Sequence, residues 1–422
     1  MPATNSSAKK SIAFLCYRGN PYSGGQGVYT RYLCRELVEL GYDVTVFAGQ
    51  PWPILDPEVK FEKVPSLDLY RRRWPFWWPY PWQLKTTIDW REWGLSMTGQ
   101  FPEARTFSQR IERRLTGRLS SGEFDLIHDN QCLGEGLLPL VEEGWPLVAT
   151  IHHPITVDYD LELQHATTRR QRFFLNRWYS FLAPQIEVAK QLPHVITVSE
   201  NSKRDIAQQM GVPAERMEVV PVGVDETRFR PLPHIKRVPG RLLTTASGDV
   251  PLKGLTYLLE AVAKARTERP DVHLVVIGKL RGGSVIPGVI ERLGISDAVE
   301  FVSGVSDERI VELYAECELA VVPSLYEGFS LPAIEAMASG ATLLATTGGA
   351  IPEVVGTSGD TARLVPPADA GALAQAIVEL LDDPEERERL AVGGRERVFE
   401  KLTWKRCAEG TAAVYDKVLG GA

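Results

Sequence analysis

Several features that would each indicate a class of protein are missing from this 422-residue sequence. No stretch of about 18 apolar residues occurs, so no segment predicts a membrane-spanning helix. The apolar run 12–16 is too short for the core of a signal peptide and predicts a first strand instead. No tandem repeat and no low-complexity tract is present.

Cysteine is scarce, and positive charge is not in excess. The cysteines form no C-x-x-C pair and no Cys/His cluster, so no zinc site is indicated, and their odd number of five argues against a disulfide framework. The formal net charge of −7 gives no reason to expect nucleic-acid binding. We expect a cytoplasmic protein with reduced thiols and no nucleic-acid partner.

Short apolar runs that alternate with helical patterns make up most of the chain, as in a parallel sheet covered on both faces. The Pro- and Gly-rich segment 219–232 interrupts this alternation and is interpreted as a linker. We therefore expect an α/β protein with two doubly wound, Rossmann-like domains, residues 1–225 and 226–402. The predicted strands are 11–17, 43–47, 126–128, 147–152, 195–198, 242–246, 272–277, 299–302, 319–322 and 341–346. The clearest predicted helices are 254–269, 307–317, 370–382, 384–400 and 403–419.

The segment 324–340, SLYEGFSLPAIEAMASG, lies between two predicted strands. Pro332 suits the first turn of a helix, with Ser330 as its N-cap and Gly340 at its end. The free amides of a helix N-terminus attract anions, so the backbone near Ser330 and Leu331 could hold a diphosphate, with Phe329 beside it.

Two glutamates, Glu327 and Glu335, lie on either side of that helix start. Carboxylates accept hydrogen bonds from pairs of hydroxyl groups, so Glu327 could bind sugar hydroxyls and Glu335 ribose hydroxyls. A loop-capping Glu327 and a solvated Glu335 are the structural alternative. The flanking Gly328, Phe329 and Pro332 favour the functional interpretation.

The pattern E-G-F-S-L-P-A-I-E resembles the E-x7-E signature of the retaining glycosyltransferases of family four, which have the GT-B fold. Four other motifs agree with that family, and the resemblance is strongest over residues 219–365 and weakest over 50–120. These motifs are Gly24-Gly-Gln-Gly27, Pro221-Val-Gly-Val-Asp225, Lys253-Gly254 and Gly348-Gly-Ala-Ile-Pro-Glu353.

The resemblance implies two domains that face each other across a cleft, with a last helix, within 403–422, that crosses back to the N-terminal domain. It places the acceptor in residues 1–225 and a nucleoside diphosphate-sugar donor in 226–402. It implies transfer of a hexose with retention of the anomeric configuration, with UDP as the favoured carrier and with no metal or cofactor. The acceptor, which could be a saccharide, a lipid or a small molecule, and the oligomeric state stay open.

The resemblance also assigns roles to Lys253, which would face the donor diphosphate, and to His152, which would contact the donor sugar. A cation beside the departing diphosphate is needed because negative charge accumulates there as the glycosidic bond breaks. The family usually carries an arginine shortly before this lysine, where this chain has Ser247 and Gly248. Ser247 is retained as a donor-binding candidate, and Lys279 or Arg281 could supply the missing cation.

The glycines Gly25 and Gly27 could let backbone amides approach the diphosphate or the sugar. As a dinucleotide fingerprint this loop lacks its third glycine, which makes a Rossmann oxidoreductase the most distant alternative. The D-x-D pattern of Asp158 and Asp160 is interpreted as a chance match, so no metal ligands are assigned.

A tryptophan-rich segment, residues 70–93, follows no motif of the family. Its rings could stack on an acceptor sugar, which makes Trp77, Trp78 and Trp82 acceptor-side candidates. Tryptophan next to arginine also suits peripheral contact with the inner face of a membrane. A packed loop or a dimer contact is the structural alternative.

Two other functions are compatible with the same motifs. A GT-B nucleotide-sugar epimerase or hydrolase would release sugar and nucleotide without an acceptor. A nucleotide-sugar-binding protein that has lost catalysis would explain the missing arginine. Donor hydrolysis measured with and without acceptors separates these functions from glycosyl transfer.

Overall fold

The computed structural model describes residues 9–20, 25–69, 78–246, 250–280, 283–357 and 359–420. The chain divides into two compact units. The N-unit comprises Met1–Val198, Ser202–Val220 and Cys407–Ala422, and the C-unit comprises Ser199–Asn201 and Pro221–Arg406. The predicted placement of the acceptor in the first half and the donor in the second half stays a prediction.

The N-unit is built on a seven-stranded parallel sheet with the order β3-β2-β1-β4-β5-β6-β7. Its strands are β1 (Ser11–Cys16), β2 (Asp43–Ala48), β3 (Lys60–Lys63), β4 (Leu126–Asn130), β5 (Leu147–Ile151), β6 (His194–Thr197) and β7 (Met217–Val219). The helices in this half are α1 (Gly25–Glu39), α2 (Thr87–Met97), α3 (Glu103–Ser120), α4 (Leu138–Glu142), α5 (Thr156–His165), α6 (Arg169–Trp178), α7 (Leu182–Gln191) and α8 (Glu200–Met210). The central strands β4 and β5 are buried throughout, as expected of strands covered on both faces.

The C-unit is built on a six-stranded parallel sheet with the order β10-β9-β8-β11-β12-β13. Its strands are β8 (Arg241–Thr245), β9 (His273–Ile277), β10 (Val299–Val302), β11 (Leu319–Val322), β12 (Thr342–Thr346) and β13 (Arg363–Val365). The helices of the second half are α9 (Leu255–Ala265), α10 (Ile286–Leu293), α11 (Asp307–Glu316), α12 (Leu331–Ala338), α13 (Ile351–Val355), α14 (Ala370–Asp382), α15 (Pro384–Lys401) and α16 (Trp404–Gly420). The prediction of two Rossmann-like parallel sheets is therefore confirmed.

Ten strands were predicted, and the structure has each of them with boundaries that differ by at most two residues. The three that the sequence did not reveal, β3, β7 and β13, are short and lie at sheet edges. Their sequences KFEK, MEV and RLV carry charged residues, since an edge strand does not need the continuous apolar run of a central one. The strand β7 ends at the first residue of the predicted linker.

The last helix returns to the first half of the chain, as predicted. From Cys407 onward α16 belongs to the N-unit. There the Tyr415 hydroxyl and His128 Nδ1 share a buried hydrogen bond, and His128 Nε2 lies 2.7 Å from Thr150 Oγ1. Lys10 also pairs with Asp416 at 2.7 Å. The end of the chain thus completes the core of the N-unit.

Across the described ranges, no helix is both long enough and apolar enough to span a bilayer.

Candidate active site

In the C-unit, strand order reverses between β8 and β11, which are neighbours in the sheet although two strands separate them in sequence. Ligands of open parallel sheets bind beyond the carboxyl ends of the strands at such a point. The loops that follow these two strands meet there, because the Leu325 amide donates to the Leu252 carbonyl at 2.7 Å. The donor-site candidates Lys253 and Glu327 therefore come from two adjoining loops.

Lys253 and Glu327 form an ion pair at this edge, with 2.8 Å between Nζ and Oε1. The Ser324 hydroxyl donates to the same carboxylate oxygen at 2.7 Å, and Glu327 is only 8% exposed. Two hydrogen bonds on one buried oxygen restrict the carboxylate to a single orientation. Two candidates that the sequence places 74 residues apart thus lie in direct contact.

A third loop supports Glu327 from behind. The Ala350 amide donates to the Glu327 carbonyl at 2.8 Å. Gly349 has a φ of +63°, and a Cβ there would lie 2.3 Å from the Glu327 carbonyl oxygen and 2.7 Å from its nitrogen. Glycine is required at this position, which gives a physical reason for the Gly348-Gly349 motif noted in the sequence.

The helix α12 begins at Leu331, with Pro332 in its first turn and Ser330 at the N-cap position. The expectation that Ser330 caps the helix is wrong. Its φ is +93°, its side chain makes no capping bond, and its buried hydroxyl has no hydrogen-bond partner among the described residues. A strained serine with an unsatisfied hydroxyl at a helix N-terminus is typical of a ligand contact. The preceding Phe329 is buried at 8% exposure.

Glu335 lies one turn into α12, and its Oε2 is 3.5 Å from the Tyr314 hydroxyl. Burial raises the pKa of this carboxyl to about 7, although Arg228 and the Tyr314 hydrogen bond oppose the shift. Tyr314 is a neighbour that the sequence did not reveal, since it belongs to α11. A carboxylate held beside a hydroxyl in a dry environment can accept further hydroxyl donors.

The residues where the family usually carries an arginine, and those that could replace it, are only partly described. Ser247, Gly248 and Arg281 lie outside the described residues. Lys279 is exposed and follows β9, next to β8 in the sheet, and it forms no ion pair within the described part of the chain.

In the N-unit, α1 begins at Gly25, so Gly25 and Gly27 lie in the first turn of a helix rather than in a loop. Gly24 lies outside the described residues. A Cβ at Gly27 would lie 2.1 Å from the Asn20 carbonyl oxygen, whereas a Cβ at Gly25 would meet no described atom within 4 Å. Close packing thus explains Gly27, while Gly25 leaves open space at the helix start.

His152 follows β5 and is connected to that helix start through Asn130 at the end of β4. The Asn130 Nδ2 donates to the Gln26 carbonyl at 3.3 Å and to Thr30 Oγ1 at 3.1 Å. Because a carbonyl only accepts, the amide of Asn130 can point only this way. Its Oδ1 then accepts from His152 Nε2 at 2.8 Å, which places the ring proton on Nε2.

The imidazole of His152 is neutral, because burial lowers its pKa to about 3. Its Nδ1 is therefore a hydrogen-bond acceptor. The family resemblance identifies His152 at the end of its strand, but nothing in the sequence reveals Asn130, whose partners Gln26 and Thr30 are about a hundred positions away.

His153 lies next to His152 but has a different partner, since its Nε2 is 2.9 Å from Asp158 Oδ2. Asp158 and Asp160 are both in α5, where side chains two positions apart point in different directions. No group of three His, Cys, Asp or Glu side chains converges as a metal site would require within the ranges that the structure describes.

The tryptophans predicted to lie on the acceptor side are exposed where they are described. Trp78 is 62% exposed and packs 5.3 Å from Trp93, and Trp82 is 67% exposed and stacks on Tyr80 at 4.6 Å. Trp77 lies outside the described residues. The second part of the tryptophan-rich segment is not a loop, because α2 begins at Thr87 behind a Thr86 cap.

Comparisons with known proteins agree with this architecture. Residues 23–228 match the family model described as Glycosyltransferase Family 4, and residues 237–397 match Glycosyl transferases group 1. The chain is 50% identical to the MMP alpha-(1->4)-mannosyltransferase of Mycolicibacterium hassiacum over 97% of this chain and 98% of that protein. It is 28% identical to D-inositol 3-phosphate glycosyltransferase 2 of Catenulispora acidiphila, over 95% of this chain and 92% of that protein.

A similar solved structure is the sucrose-phosphate synthase from Thermosynechococcus elongatus, with a TM-score of 0.72 and 21% identity over 98% of this chain and 100% of that one. At that identity the likeness shows the fold alone, which is GT-B. Together with the two family models and the half-identical relative, it leads to one conclusion: the chain belongs to the glycosyltransferases of the family-four type and transfers a sugar from a nucleotide-sugar donor.

Proposed function

We propose that the protein is a retaining α-mannosyltransferase that moves mannose from a nucleoside diphosphate donor to a hydroxyl group of a saccharide acceptor. The observation that carries the proposal is the Lys253–Glu327 ion pair, which joins the loop after β8 to the loop that leads to the N-terminus of α12. The mannosyl group and the α-(1→4) linkage are taken from the name of the half-identical relative. UDP remains the carrier that the family resemblance favours.

The bound diphosphate would rest on the free amides at the start of α12 and against the ammonium of Lys253. The unsatisfied Ser330 hydroxyl would donate to it, and Glu335 would accept from the ribose hydroxyls. In the N-unit, His152 Nδ1 would accept from a hydroxyl of the transferred sugar, because its Nε2 proton is already bonded to Asn130.

In the reaction, the bond between the sugar C1 and the diphosphate oxygen breaks, and its electron pair leaves with the diphosphate. The acceptor oxygen bonds to C1 on the same face, and its proton passes to the departing diphosphate oxygen. Lys253 stabilises the charge that develops on this leaving group. With this cation and a helix N-terminus on the diphosphate, the proposal requires no divalent metal.

A donor screen followed by a transfer assay tests the proposal. Thermal shifts are measured with UDP-, GDP- and ADP-mannose, and a specific donor at a hundred times its Kd should add about 2.7 kcal/mol of stability. Transfer to manno-oligosaccharides is then measured with and without EDTA, and the anomeric configuration of the product is read from its C1–H1 coupling.

We expect α-linked product at an EDTA-independent rate. A β-linked product would refute retention, and a loss of activity with EDTA would refute metal independence. Donor hydrolysis at the same rate with and without acceptor would instead identify a hydrolase or epimerase.

A further inference from the structure

An arginine, a buried glutamate and an exposed tryptophan come together around one phenylalanine in the N-unit. Arg18 follows β1 by two residues, Glu103 opens α3, and Trp178 ends α6. The Phe101 ring lies 5.9 Å from the Arg18 guanidinium carbon and 5.2 Å from the Trp178 ring. Neither the family motifs nor the proposed donor site uses any of these residues.

Glu103 is a buried acid with unused hydrogen-bonding capacity. Its side chain is 7% exposed, and its Oε2 has no hydrogen-bond partner among the described residues. The nearest cation is Arg18, whose Nε is 3.4 Å from that oxygen. Burial raises the pKa of this carboxyl to about 7, and Glu92 and Asp68 add to the shift, whereas Arg18 opposes it. A buried carboxyl with an unused oxygen can orient a cation beside it.

That neighbour is Arg18, whose side chain is 36% exposed. Its guanidinium makes no hydrogen bond within the described residues, although its Nε faces Glu103 and its plane lies near Phe101. Arginine carries five N–H donors, so the outer edge of this group can donate to a ligand. Glu103 orients the Arg18 guanidinium through this contact and acts as a positioning residue.

Trp178 supplies an apolar surface next to Phe101. Trp178 is 39% exposed as a residue, and α6 has no buried residue. An aromatic ring beside hydrogen-bond donors is a suitable environment for a pyranose, because the C–H face of the sugar packs on the ring and its hydroxyls meet the polar groups.

The charge at this place selects between two kinds of sugar ligand. Arg18 is already paired with Glu103, and the carboxylate of Asp68 contributes further negative potential, whereas the carboxylate of Glu92 is paired with Arg110 at 2.7 Å. A phosphate group would therefore find its attraction to Arg18 largely cancelled, whereas a neutral hydroxyl would not. An uncharged sugar is the better match.

We propose that Arg18, Glu103 and Trp178 form an acceptor subsite for an uncharged pyranose, such as a residue of a neutral oligosaccharide. The identification of this ligand as the acceptor rests on the proposed function. The binding surface itself is independent of catalysis.

Direct binding of defined saccharides to the full-length protein tests the proposal. The probes are methyl α-mannoside, an α-(1→4)-linked manno-oligosaccharide and mannose 6-phosphate, followed by saturation-transfer NMR and calorimetry. We expect Trp178→Ala and Arg18→Gln to weaken binding of the neutral oligosaccharide at least tenfold, while Trp178→Phe keeps most of it. Phe173→Ala and Arg170→Gln, on exposed positions of the same helix, should bind like wild type.

Glu103→Gln keeps the size of the side chain and should raise the acceptor KM severalfold without changing the donor KM. A subsite for neutral sugars is ruled out if the wild type binds no neutral saccharide, if it prefers mannose 6-phosphate tenfold, or if Trp178→Ala and Arg18→Gln bind as well as wild type. Saccharide binding that depends on Trp178 in a protein without transfer activity would uphold the subsite and refute the proposed function. Sugar transfer with an unchanged acceptor KM in the variants would refute the subsite and leave the proposed function standing.

Discussion

The two candidate sites differ in the charge of the groups that they hold at the carboxyl ends of their strands. The C-unit presents an ammonium, Lys253, against a carboxylate, Glu327. Around His152 the N-unit presents neutral groups. The side chain of Asn130 has no charge, and burial lowers the pKa of His152 so that its imidazole is neutral. The difference fits the proposed roles, in which the C-unit stabilises charge as a bond breaks and the His152 network orients a ligand.

If this comparison is right, removing the cation of the C-unit has the largest effect. We expect Lys253→Ala to lower kcat about 10²–10³-fold, because the charge on the leaving diphosphate loses its counter-ion. Steady-state kinetics and a circular dichroism spectrum measure the activity and the fold. Lys236→Ala, an exposed lysine of the same unit, is the matched control and should keep full activity. A wild-type kcat in Lys253→Ala would contradict the proposal that Lys253 stabilises charge on the leaving diphosphate.

The neutral network should give a smaller effect. Asn130→Ala removes the acceptor for the His152 Nε2 proton, so the ring is free to change tautomer, and we expect kcat to fall about tenfold from the loss of about 1.4 kcal/mol. Asn130→Asp instead places a carboxylate beside the ring, which raises the pKa of His152 and should introduce an acid limb into the pH–rate profile.

The ring nitrogens of His152 can be followed directly by long-range ¹H–¹⁵N NMR, with His152→Gln to assign the signals. Wild type should show a neutral ring protonated on Nε2 at pH 6. A ring protonated on Nδ1, or a charged ring, would contradict the network.

The loop behind Glu327 offers a test at the level of the backbone. Gly349→Ala combines a positive φ with a clash against the Glu327 backbone, so we expect a loss of about 1–3 kcal/mol in stability together with reduced activity. Gly283→Ala is the matched control, because its φ is +87° but its Cβ meets no described atom within 4 Å. Thermal unfolding of both variants measures the difference, and equal losses would show that the clash is unimportant.

The smallest effect concerns the carboxyl of Glu335 in α12. Its pKa is raised from 4.5 to about 7 in the folded protein, so its favourable contribution to stability is complete below about pH 4.5 and is lost as the pH rises through 7. Glu335→Gln cannot ionise, and we expect it to match wild type in Tm at pH 5 and to exceed it by a few degrees at pH 8. Donor binding should be weaker in the variant at pH 8. A Tm difference that does not change with pH would contradict the burial of this carboxyl.

The same comparison explains what the sequence could reveal. The candidates from Glu327 to Glu335 are nearly contiguous, so the strands and the helix around them could be predicted from local patterns. Lys253 came from the family resemblance, and the donor-binding role of these residues stays a prediction. The network around His152 joins Gln26, Thr30 and Asn130 from separate segments, and only the folded sheet brings them together. Ser330 shows a local failure, because serine at an N-cap predicts a capping bond that its left-handed backbone prevents.

The return of α16 to the N-unit has a consequence for how the chain is made. Tyr415 reaches the core partner of its hydroxyl, His128, across 287 residues of sequence. At a synthesis rate of roughly 5–20 residues per second, His128 waits on the order of 15–60 s for Tyr415 to be synthesised. A tag or a truncation at the C-terminus would therefore affect the folding of the N-unit, although most of that unit leaves the ribosome first.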